Sequence, residues 1–87
     1  MKLDAETYSD LITSLEQSAY IFAELATLQS HARCAEDYLK AATNARNMSL
    51  LLCQRGPLGP WTVGELAAFH AALDHFAEYA RERGWSG

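Results

Sequence analysis

Ala26-Thr27-Leu28-Gln29-Ser30-His31-Ala32-Arg33-Cys34-Ala35 holds neither glycine nor proline, yet the fold turns on whether a helix runs through it. Upstream, Tyr8, Leu11, Leu15, Ala19, Phe22 and Ala26 recur every three or four residues, with Ile12 and Leu25 widening the stripe. The same steps continued from Ala26 land on Gln29, Arg33, Glu36 and Lys40, all polar. Downstream, the apolar stripe is instead Ala35, Tyr38, Ala42, Ala45, Met48 and Leu52, with Cys34, Leu39 and Ala41 beside it. Ala35 follows Ala26 by a span that turns the helix about 900° at about 100° per residue, so the second stripe is half a turn out of phase. An unbroken helix would bury opposite faces in its two halves and would need a partner chain. A turn near Gln29-Ser30-His31, with Ser30 as a candidate cap, lets both stripes face one core. The phase predicts this break, with helices over about 5–28 and 32–54.

Outward from there, Asp4 stands where an N-cap is wanted, and Asp4, Glu6 and Asp10 suit the positive end of the first helix dipole. Gly56 ends the second helix, and Gly56-Pro57-Leu58-Gly59-Pro60 forbids its continuation. Thr62 and Glu65 then have the spacing of a capping box, with Trp61 and Leu66 at the staple positions on either side. A third stripe follows, Leu66, Phe69, Leu73, Phe76 and Ala80, with Ala72 and Tyr79 alongside and Gly84 as terminator. It predicts a helix over about 63–83. The expected fold is all-α: one domain over 1–87, a small antiparallel bundle of three helices.

A chain of 87 residues, 49% hydrophobic and 21% charged, is globular in composition. At this length it hides only roughly 60% of its unfolded surface, so completion of the bundle by dimerisation is expected. No apolar run is long enough to span a membrane, and residues 1–4 lack the order of a signal peptide. A cytoplasmic location is the expectation. Cys34 and Cys53 on one helix stand about 28 Å apart at about 1.5 Å per residue, whereas a disulfide needs about 7 Å or less between Cα atoms. They are expected to be reduced, buried thiols.

Charge is distributed by segment. Residues 1–30 carry five acids and one base, 31–56 two acids and four bases, and 57–87 four acids and two bases, which gives −4, +2 and −2 and the total of −4. A basic middle helix between two acidic ones suits a bundle, although exposed pairs contribute little to stability.

Few residues suggest chemistry. His31 and Cys34 are spaced to share a helical face, and Cys53, His70 and His75 are further potential ligands, but no CxxC or HxxxH pair accompanies them. No metal site and no cofactor are expected. His70 flanks the third stripe while His75 falls outward, about 140° away, so Asp74 and Glu78 do not complete one acid–base site with both. There is no nucleophile elbow and no glycine-rich phosphate loop. The chain is not expected to be an enzyme. Arg33, Lys40, Arg46 and Arg55 are too sparse for a nucleic-acid footprint, so direct nucleic-acid binding is not expected either.

What remains is surplus apolar surface. Tyr20 and Ile21 lie off the centre of the first stripe, Leu50 and Leu51 off the second, and Leu58, Trp61 and Trp85 near helix ends. These seven are the candidate partner-binding residues, since aromatic and aliphatic side chains outside a core mark interfaces. For Trp61 and Leu58 the competing reading is that they close the open end of the bundle. Small acidic helical proteins of this size and composition include bacterial antiactivators, immunity proteins and phage-encoded inhibitors, though no motif carries that likeness. The expected function is accordingly regulation of another protein by occupying its surface, by a homodimer of bacterial or phage origin. The alternatives are a metal- or ligand-binding sensor using His31 and Cys34, and a small accessory subunit of a larger complex.

Overall fold

The structure, a computed structural model, describes residues 2–28 and 31–82. Its elements are three helices: α1 (Ala5–Thr27), α2 (Ala32–Arg55) and α3 (Val63–Glu82). Each lies within one residue of the range the stripes predict. Among the described residues there is no strand.

Asp4 caps α1 as expected. Its backbone is extended, with φ −71° and ψ 162°, and its carboxylate accepts a 2.7 Å hydrogen bond from the Thr7 N–H. That bond, with help from the Thr7 side chain, holds the Asp4 carboxyl below its ordinary value. α1 stops at Thr27, and α2 starts at Ala32 behind an extended His31 that makes no side-chain cap. The proposed cap Ser30 and the terminator Gly84 lie outside the described residues. The half-turn phase slip therefore does break the helix. At the far end the antiparallel pair is tied twice: the Leu3 N–H donates to Pro57 O at 2.7 Å, and the Tyr8 hydroxyl donates to Leu52 O at 2.8 Å.

Between α1 and α2 the two stripes meet. Leu11, Leu15, Ala19, Phe22, Leu25 and Ala26 pack on Tyr38, Ala42, Ala45, Ser49 and Leu52, all buried. Small side chains on α2 let the larger ones of α1 approach its backbone. Ser49 was not expected inside. It stands on the Ala42–Ala45–Leu52 line and is small enough to sit there, whereas Met48, at the edge, is half-buried. Leu3, ahead of the first stripe, also joins the core.

α3 lies against one side of this hairpin, over a shorter seam. Phe22 is the hub: its ring meets Phe76 at 5.6 Å and Tyr79 at 5.5 Å between centroids, both edge to face, and Tyr38 meets Tyr79 at 5.9 Å. Such pairs each add about 0.5–1.5 kcal/mol beyond area burial.

The connection from α2 to α3 is where expectation and structure part. Gly56 and Gly59 adopt φ of 81° and 71°, and the Gly59–Pro60 bond is cis. This path folds Trp61 inward until only 1% of it is exposed. Its indole N–H donates to Gly56 O at 2.9 Å, its ring stands edge-on to Phe69 at 5.7 Å, and the Arg55 guanidinium lies 4.4 Å over it. Trp61 is thus a core residue and not a surface anchor. The indole is too large to leave in water when a pocket with an acceptor for its N–H is at hand. Next to it the capping box closes as read: the Thr62 N–H donates to the Glu65 carboxylate and the Glu65 N–H to the Thr62 hydroxyl, each at 3.0 Å. An ion pair with Arg55 anchors the same carboxylate.

Candidate functional site

Apolar side chains left outside the core are the candidates for function. Tyr20 is 62% exposed on the outer face of α1, where its hydroxyl donates to the Glu24 carboxylate at 2.9 Å. That bond and the negative charge beside it raise the phenol above its ordinary value. Leu50 and Leu51 are exposed on α2, and Leu58 is 73% exposed in the connection. Ile21 is half-buried and packs against the core, on the flank of α1 that carries Asp10 and Ser14 toward α3. Trp61 is inside, as described, and Trp85 lies outside the described residues.

The structure does not gather the candidates into one patch. Leu50, Leu51 and Leu58 belong to the end of the bundle where α2 stops and α3 starts. Val63, exposed in the first turn of α3, joins them there. Tyr20 stands apart: the ties at Leu3 and Tyr8 put it level with Lys40, about 15 Å up the helix axis from Leu50 at about 1.5 Å per residue. Sequence reasoning missed Val63, Leu28 and Leu39 as exposed residues. For Leu39 the signal was present. It follows the stripe residue Tyr38 by one position, about 100° round the helix, which is enough to leave the core arc.

Both cysteines are exposed, contrary to the buried thiols expected. Cys34 is in the first turn of α2 at the end of the bundle, and Cys53 is one position past the buried Leu52. His31 beside Cys34 is exposed as well, and among the described residues no group of three or more His, Cys, Asp or Glu converges to hold a metal ion. His70 lines a groove between α3 and α1 with Asp10 and Ser14. His75 does not point simply outward. Its ring leans 6.3 Å from Phe76 and 6.3 Å from Tyr79, beside a groove bordered by Asp37, Lys40 and Asn44 of α2.

Electrostatically the best-organised point is the Arg55–Glu65–Thr62 group. The Thr62 N–H, then Arg55, hold the Glu65 carboxyl below its ordinary value. All the donors it uses belong to the helix cap and to the Trp61 lid, so its role is to fasten the connection. No side-chain polar atom buried among the described residues lacks a hydrogen-bond partner. Among them, too, no helix is long and apolar enough to cross a membrane. No protein-family model matches the chain, and neither the curated proteins nor the solved structures contain a match to it.

Proposed function

We propose that the protein binds another protein through the end of the bundle formed by the close of α2 and the start of α3, and regulates that partner by covering its surface. One observation carries the reading: Leu50, Leu51, Leu58 and Val63 are all exposed at that end. The contacts among Trp61, Arg55 and Glu65 hold the connection that presents Leu58 and leads into Val63. Anchors fixed in place before binding lose little conformational freedom on docking, which favours affinity. A small helical inhibitor or antiactivator of bacterial or phage type would work in this way, laying apolar anchors into a groove while flanking charges set orientation.

The test is capture from the native source with the unmodified chain and with Leu51→Asp/Leu58→Asp. Burying a leucine is worth about 1.5–3 kcal/mol, so the double variant should lose its partner by well over tenfold. Its circular dichroism should be unchanged, because neither side chain is in the core. Tyr20→Ala, on the other face, should retain the partner. Equal capture by the double variant and the unmodified chain would overturn the proposal.

A further inference from the structure

α3 covers only one side of the α1/α2 hairpin. Its grooves are bordered by Asp10, Leu11 and Ser14 of α1 and by Asp37, Ala41 and Asn44 of α2. At about 100° per residue, Ile12, Glu16 and Ala23 of α1 and Leu39, Arg46 and Leu50 of α2 fall on the opposite side. There Leu39 is 51% and Leu50 49% exposed. Ile12 and Ala23 are half-buried along the seam between the helices. Three turns separate Leu39 from Leu50, so the two leucines stand about 16 Å apart and within about 20° of one line. Arg46 lies between them, and Glu16 faces it across the seam. Among the described residues the side chains of Glu16 and Arg46 have no hydrogen-bond or ion-pair partner.

We infer that this side of the hairpin docks a second copy of the chain, the two hairpins forming a four-helix layer about a two-fold axis. The face is complementary to itself. With Leu3 tied to Pro57 and Tyr8 to Leu52, Glu16 stands level with Asn44, which is about 3 Å along the axis from Arg46. Acid and base therefore sit side by side near mid-helix, and an isologous pairing requires such a mutual match. A two-fold axis through that point and along the helices brings Glu16 of each copy onto Arg46 of the other. The same operation carries Leu39 and Leu50 onto α1 of the second copy. One leucine arrives at the level of Ala19 and Ala23, where small side chains leave a recess, and the other beside Ile12. The face measures about 35 Å by about 20 Å, or about 700 Å² per copy. The total of about 1,400 Å² is within the range that specific interfaces bury. The inference does not rest on the partner proposed above: of that proposal's anchors only Leu50 falls within this contact, while Leu51 and Leu58 lie away from it.

Charge exchange tests it. By sedimentation velocity the unmodified chain should form dimers at micromolar concentration. Glu16→Arg and Arg46→Glu each set like charges against one another across the axis, and each should weaken the dimer at least tenfold. Mixing these two variants should restore a dimer, because the hetero-pair alone matches every charge. Leu39→Asp, at a half-exposed position, should abolish the dimer with helicity intact. A monomeric unmodified chain, single variants that dimerise as well as the unmodified chain, or a mixture that stays monomeric would each overturn the inference. Leu51→Asp/Leu58→Asp should lose the protein partner and keep the dimer, which separates the two proposals.

Discussion

Replacing Trp61 by alanine probes how the connection between α2 and α3 is held. The side chain is 1% exposed, packs on Phe69 and donates to Gly56 O. A buried tryptophan hides about 150–250 Å², which at about 25 cal/mol per Å² is about 4–6 kcal/mol. Measured large-to-alanine losses of about 3–5 kcal/mol include the cavity left behind. A loss of about 4 kcal/mol is expected for Trp61→Ala. Domains of this length hold only about 4–13 kcal/mol in all, at about 0.05–0.15 kcal/mol per residue. The variant should therefore unfold far earlier in urea, followed by circular dichroism, with Tm lowered by well over 15 °C at about 4–8 °C per kcal/mol. Trp61→Phe keeps most of the apolar ring and loses the bond to Gly56 O, so it should cost only about 1–2 kcal/mol. A loss under about 1 kcal/mol for Trp61→Ala would refute the assignment of this residue to the core.

Other consequences follow from the same packing. Gly59→Ala requires a Cβ 2.4 Å from Trp61 N and 2.6 Å from Trp61 Cδ1, at φ 71°. It should destabilise by at least about 2 kcal/mol in urea, whereas Gly56→Ala, at φ 81° with open space around it, should cost less. Because Cys34 and Cys53 are exposed, Ellman's reagent should titrate two thiols per chain without denaturant, and protection of both until unfolding would contradict the structure. The Asp4 and Glu65 carboxyls are held below their ordinary values of 3.8 and 4.5. The stability they add is thus present above those values and lost as pH falls through the lower, folded-state ones. Thermal melts should show an acid limb below about pH 4.5 that is shallower in Glu65→Gln, which keeps the cap and drops the titrating group; identical limbs would deny the carboxylate its part.

The three helices were legible because local signals decide them. The phase slip after Ala26 fixes the break, Asp4 and the Thr62–Glu65 box fix two starts, and Gly56 fixes an end. The connection was not. Whether Trp61 faces water or core depends on the backbone path through Gly56 and Gly59, and a glycine in sequence does not state its φ. Burial of Ser49 had a periodic signal, masked by its polarity. Cys34 and Cys53 erred the other way: their residue type suggests burial, while the bundle end for one and the angle from Leu52 for the other leave them exposed. The surface candidates were legible one at a time but not as a patch. That Tyr20 parts from Leu50 and Leu51 follows from the register set by the Leu3 and Tyr8 ties, and that Leu39 and Leu50 stand with Glu16 and Arg46 on an uncovered side follows from which flank α3 occupies. Only tertiary contacts such as Phe22–Phe76 determine that.

The central claim is that so short a chain leaves apolar helix surface outside its core, Leu39 and Leu50 among it, which a second copy covers. Sedimentation equilibrium of the unmodified chain across low to high micromolar concentration tests this most directly. The account predicts a mass rising from 9.6 kDa toward about twice that value as two copies pair. A mass fixed at 9.6 kDa throughout the series would contradict it.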